Sequence, residues 1–114
     1  MAKNIGRTLI PNSDGIVFNF VAGAAVSAGD LVPVGDTVGV ATKDVANGAE
    51  GWLKRGVMVK AVTKLTADVV SVGDTLYWDS GNSRLTLTST SNTRAGLAAN
   101  AADGSTSTVN VNLI

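Results

Sequence analysis

The chain has no cysteine and no histidine in its 114 residues. Without cysteine there are no disulfides, thiol nucleophiles or thiolate metal sites, so stability must come from packing or from partners. Without histidine the commonest general base and metal ligand are missing. Aromatic residues make up only 4% of the chain, and there are two prolines. Nine Lys and Arg balance nine Asp and Glu with no run of like charge, so the electrostatic footprint of a nucleic-acid binder is absent and direct DNA or RNA binding is not expected. The longest apolar stretch, Val21 to Val26, is interrupted by Gly23 and is far too short to cross a bilayer as a helix. The start, Met1-Ala2-Lys3-Asn4-Ile5-Gly6-Arg7, has no apolar leader region. The expectation is a protein made and kept in the cytosol, or released by lysis, with no membrane partner.

What the chain does contain is Val, Ala, Leu, Thr, Ser and Gly, with 45% hydrophobic residues overall. Val and Thr suit a pleated, half-buried surface, and Gly with Asn and Asp supplies turns. The length is that of one domain with a single modest core. We expect an extended N-terminal arm over residues 1–15, closed by the turn cluster Pro11-Asn12-Ser13-Asp14-Gly15, followed by one β domain over residues 16–114.

From Ile16 the pattern becomes strand-like. Ile16, Phe18 and Phe20 share one face, and Val17, Asn19 and Val21 share the other. Turns at Val26-Ser27-Ala28-Gly29-Asp30 and Gly35-Asp36 bracket a strand over Leu31–Val34, and Thr37–Ala41 follows. Pro33 cannot donate to a ladder, so its strand is expected at an edge or bulge. Lys43 to Gly51 reads as an exposed loop, with Asp44-Val45-Ala46 able to form one helical turn. Trp52 to Val62 reads as a continuous strand, Thr75–Trp78 and Leu85–Thr88 form a hairpin about Asp79-Ser80-Gly81-Asn82, and Thr108–Ile114 alternates most clearly of all. No window shows an apolar repeat at helical spacing. The expected fold class is therefore all-β, a small β-barrel or β-sandwich.

An internal echo supports pseudo-repeated hairpin units. Val26-Ser27-Ala28-Gly29-Asp30-Leu31 resembles Val70-Ser71-Val72-Gly73-Asp74-Thr75-Leu76. Further on, Gly39-Val40-Ala41 with Ala46-Asn47-Gly48 resembles Gly96-Leu97-Ala98 with Ala102-Asp103-Gly104. Two copies suggest a pseudo-symmetric barrel rather than a solenoid.

Chemistry-bearing patterns are scarce. The carboxylates at positions 14, 30, 36, 44, 50, 68, 74, 79 and 103 almost all adjoin Gly, Asn or Ser, which is where Asp caps turns. Asp79-Ser80-Gly81-Asn82-Ser83 has closely spaced oxygens but lacks the closing Glu of a calcium loop, so the hairpin reading prevails. No Ser-x-x-Lys or Gly-x-Ser-x-Gly pattern occurs, and no Gly-rich phosphate loop precedes a helix. No catalytic residue, metal or cofactor is expected. Trp78 shares the face of Leu76 and is expected in the core, while Trp52 is open to a partner-facing role. Lys54, Arg55, Lys60 and Lys64 read as a solvated strand face, with docking onto an acidic surface as the alternative.

Several stretches together resemble the capsid cement, or decoration, proteins of tailed phages: Met1-Ala2-Lys3-Asn4, Val26 to Val32, Val38-Gly39-Val40-Ala41, Val70 to Asp79, and Arg94-Ala95-Gly96-Leu97-Ala98. The resemblance implies a small β protein that binds the outside of the head, bridges neighbouring major capsid subunits and strengthens the expanded shell without catalysis. It implies the major capsid protein and further copies of the chain, as a dimer or trimer, as partners. On this basis Lys3, Asn4, Ile5, Arg7, Leu9 and Ile10 in the arm, and Trp52 in the body, are the expected capsid contacts. A tail or baseplate accessory module and a carbohydrate-binding module are the rival readings.

Overall fold

The computed structural model describes residues 16–114, all in strands, turns and loops. The expected arm contacts Lys3, Asn4, Ile5, Arg7, Leu9 and Ile10 lie outside the described residues. Nine strands are present among the described residues: β1 (Ile16–Val21), β2 (Leu31–Val34), β3 (Thr37–Ala41), β4 (Glu50–Arg55), β5 (Met58–Thr63), β6 (Thr75–Asp79), β7 (Arg84–Thr86), β8 (Thr93–Ala98) and β9 (Thr108–Asn112). They form two antiparallel sheets, ordered β1-β4-β3-β2 and β5-β9-β8-β6-β7. The all-β expectation holds, and the sheets curl into a half-barrel. The second sheet comes nearest to closure, where Lys64 bridges Leu85 in parallel and the Leu65 amide donates to the Leu85 carbonyl (2.8 Å).

The internal echo is a duplication of topology. Each sheet runs first strand, fourth, third, second, a Greek-key order, with β7 appended to the second copy. The hydrogen bonds repeat as well. Asp30 accepts from the Ser27 amide (3.0 Å), and Asp74 accepts from the Ser71 amide (2.9 Å). Gly29 and Gly73 sit at φ of +93° and +87°, a region that disfavours a Cβ, and donate to Ala41 and Ala98 respectively. Val26 bridges Val45 as Val70 bridges Ala102.

The third strand of each copy carries a glycine at a close approach. A Cβ on Gly39 would lie 2.6 Å from the Leu53 Cβ, and one on Gly96 would lie 1.9 Å from the Asn112 carbonyl oxygen. These positions let β3 and β8 sit flush against β4 and β9.

The larger core joins both sheets through Leu31, Val38 and Val40 from the first and Leu76, Leu85, Val109, Val111 and Leu113 from the second. A smaller cluster of Phe20, Ala22, Ala41, Val45 and Leu53 fills the other face of the first sheet. Each fully buried Leu contributes roughly 1.5–3 kcal/mol by leaving water.

Three expectations need correction. The run Trp52 to Val62 is not one strand: it divides at Gly56 (φ +77°) into β4 and β5, which belong to different sheets. Glu50 and Gly51 belong to β4 rather than to the preceding loop, and Asp44-Val45-Ala46 is no helical turn, since Val45 is held in a bridge to Val26. The third concerns the basic residues. Lys60 is exposed and Lys54 half-buried, but Arg55 and Lys64 are buried.

Their burial has a backbone cause. The ladder pairs Val40 with Lys54 and Leu97 with Asn112, so Val38 and Ala95 lie opposite positions where β4 and β9 have ended. The amides there are committed elsewhere, Gly56 to Leu113 and Ile114 to Asn112. Arg55 Nη1 instead donates to both pseudo-equivalent carbonyls, Val38 (2.5 Å) and Ala95 (2.9 Å), and so ties the two sheets together. Burial, and secondarily the Arg94 guanidinium, lowers the Arg55 pKa from its ordinary value. Lys64 Nζ is enclosed by four carbonyls, those of Leu65, Thr66, Asp68 and Asp103, at 2.7 to 3.1 Å. Buried cations persist when such acceptors replace water.

Candidate interaction face

Strand parity decides what the first sheet shows to solvent. On β4, Leu53 is fully buried and Gly51 packs against Phe20 and Val45, so Glu50, Trp52 and Lys54 project from the opposite face. On β1, Phe20 is buried and Val17, Asn19 and Val21 are exposed. The register sets Trp52 opposite Asn19, Lys54 opposite Val17 and Glu50 opposite Val21. Trp52, 57% exposed, thus stands with Val17 and Val21 as its diagonal neighbours, all three open to solvent. Trp is the residue type most typical of a binding hot spot, and the two exposed valines beside it widen the apolar patch.

Trp52, an expected contact, is exposed in the structure, and Val17 and Val21, which the sequence reading does not single out, are exposed beside it. The signal for them was available in the alternation of β1, which puts two valines on the face opposite its two phenylalanines. Trp78 is half-buried and packs against the larger core, in line with its shared face with Leu76. Two more exposed valines mark the second Ser-x-Gly-Asp turn, Val69 ahead of it and Val72 within it.

Asp30, Asp74, Asp79 and Asp103 serve their own turns, whereas Asp44 and Asp68 tie together segments distant in sequence. Asp44 accepts from the Ala28 amide, and Asp68 from the Thr86 hydroxyl and the Leu87 amide. Asp79 accepts from the Gly81 amide and the Asn82 side chain, whose hydrogen bond leads the causes that lower its pKa. Asp103 accepts from the Thr106 hydroxyl and from the amide and hydroxyl of Ser105, and these bonds, Thr106 first, hold its pKa down at about 2. Such a carboxylate stays ionised and is engaged within its own turn. Among the described residues no group of three or more His, Cys, Asp or Glu could hold a metal ion. A groove of about 400 Å³ runs between β2 and β5, lined by Leu31, Val32, Val59, Val62 and Trp78 with Asp30 and Lys60 as its charged members. Asp30 is already engaged by the Ser27 amide.

The exposed cluster of Trp52, Val17 and Val21 on a duplicated all-β frame is the candidate binding surface. In a comparison with family models, the phage cement protein model matches residues 10–113, and the chain belongs to that family. The family implies association with the phage capsid and a place in the virion. No curated protein matches the chain.

Proposed function

We propose that the protein is a capsid decoration protein that binds the outer surface of the expanded phage head and bridges neighbouring major capsid subunits. The observation that carries the reading, given the family, is the exposed cluster of Trp52, Val17 and Val21 on an otherwise ordinary strand face. In this role the face docks on the shell, and residues 1–15, with Lys3, Asn4, Ile5, Arg7, Leu9 and Ile10, form an arm that adds contacts beside Trp52. The 16–114 unit acts as the single body that spans a capsomer boundary.

The mechanism is physical and involves no catalysis. Each copy adds interface area across a boundary that internal DNA pressure tends to open, and it stabilises the state it binds by mass action. Many weak copies sharing one shell act through multivalency. The protein is made in the host cytoplasm and needs no cofactor.

The test is to add purified protein to expanded, undecorated heads and to unexpanded proheads, and to follow co-sedimentation and DNA release on heating. Saturable binding to expanded heads with delayed DNA release is expected. Trp52→Ala should weaken binding at least ~10-fold, as hot-spot truncations do. Absence of binding to either particle would reject the role.

A further inference from the structure

Among the described residues the first sheet has two unpaired edges, and they differ. On β2 the Asp30 carbonyl accepts from Ala41, so alternation turns the backbone of residues 30, 32 and 34 toward β3 and that of Leu31 and Pro33 outward. Pro33 has no amide to offer, which blunts this edge. On β1 the Ala22 amide donates to Ala49 in the same register, which turns Phe18 and Phe20 toward β4. Val17, Asn19 and Val21 therefore present amides and carbonyls outward, with no proline or charged side chain among them. An edge of this kind is a template for another strand.

We propose that β1 pairs antiparallel with β1 of a second copy, about a two-fold axis through Asn19, to make one continuous eight-stranded sheet. Centring on Asn19 uses all three outward residues, for about six backbone hydrogen bonds, whereas a shift by one residue in either direction uses fewer. The charge pattern is complementary to itself under this two-fold, and at three strand spacings it orients the pairing without adding appreciable binding energy. Lys54 lies behind Val17 and Glu50 behind Val21. The two-fold sets Val17 against the partner's Val21, so the basic end of each copy meets the acidic end of the other. The blunted β2 edge stops growth at two copies, which gives a closed isologous dimer rather than a fibre.

The axis is perpendicular to the sheet, so both Trp52 side chains project from the same face, about 14 Å apart across three strand spacings. Self-pairing needs nothing from the capsid. Only its consequence rests on the proposed function: the dimer presents two docking clusters at once, and bivalency raises avidity for the shell.

The chain has no cysteine, so one introduced thiol gives a clean cross-linking readout. Asn19→Cys, at the axis, should form a disulfide dimer on mild oxidation at least ~10-fold faster than Ser80→Cys on the distant β6–β7 turn, since paired Cα atoms lie within disulfide range. Sedimentation of the full-length protein should show a monomer–dimer equilibrium, and Asn19→Pro should weaken it at least ~10-fold while leaving the circular dichroism spectrum unchanged. Asn19→Cys cross-linking no faster than Ser80→Cys, or a wild-type chain that stays monomeric at high concentration, would overturn the proposal. If the wild type is monomeric yet Asn19→Pro loses binding to expanded heads, the edge belongs to a capsid strand and self-pairing is refuted while the cement role stands.

Discussion

Replacing Arg55 with alanine removes the group that caps the two strand-end carbonyls, Val38 and Ala95, and links the two sheets. Each bond has a cationic donor, and such hydrogen bonds contribute about 1.5–3 kcal/mol. Their loss leaves acceptors in a region where Val38 and Ala95 are wholly buried. Part of the gain is offset in the native protein by the cost of burying the guanidinium. The net expectation for Arg55→Ala is a loss of about 3–5 kcal/mol. That is a large share of the 5–15 kcal/mol typical of a domain, and it corresponds to a fall in Tm of ~15–30 °C at this size. Thermal and urea unfolding followed by circular dichroism would measure it. Arg55→Met separates the causes: it retains most of the side-chain volume and loses both hydrogen bonds, so it should recover less than half of the loss. A Tm for Arg55→Ala within ~3 °C of the wild type would refute the argument that the two carbonyls depend on this side chain.

Three further outcomes are expected. Lys64→Met should destabilise by about 2–4 kcal/mol by leaving its carbonyl cage without a donor, and Lys64→Arg should not restore stability, because a planar fork does not fit four converging acceptors; urea titration reads both. Gly96→Ala should cost more than ~3 kcal/mol or prevent folding, because its Cβ would meet the Asn112 backbone, whereas Gly23→Ala, with nothing within 4 Å, should change stability by under ~1 kcal/mol. Asp103 has a folded pKa of about 2, below its unfolded value, so its contribution to stability is present above the ordinary carboxylate range and is lost as pH falls through about 2. The difference in Tm between the wild type and Asp103→Asn should therefore shrink as pH drops from 4 toward 2, and carboxyl NMR titration should report the low pKa directly.

The parts of the fold legible in the sequence were those set by local pattern. Alternation marked β1, β6 and β9, and the Ser-x-Gly-Asp echo revealed the duplication because the same turn needs the same cap and the same left-handed glycine in both copies. The break at Gly56 was missed because β4 and β5 both alternate and run nearly end to end. Only their partners, β1 and β3 on one side and β9 on the other, separate them. A related irregularity is the register shift between Val59 and Val62, where Ala61 takes a φ of +55° and its amide is held by the Asn110 side chain. Arg55 and Lys64 were misplaced on a solvated face because their acceptors come from strand ends and loops up to 40 residues away in sequence. Composition carries no trace of a carbonyl left over when a neighbouring strand stops. The exposure of Trp52 and of its flanking valines, by contrast, follows from strand parity and register, which the sequence pattern of β4 alone does not fix.

The most direct test of the cement role is a difference map between cryo-electron reconstructions of expanded heads with and without the added protein. The account predicts regular density on the outer surface across capsomer boundaries, with the Trp52 face of the first sheet turned toward the shell. Density confined to the tail or baseplate, or no added density on the head, would contradict it.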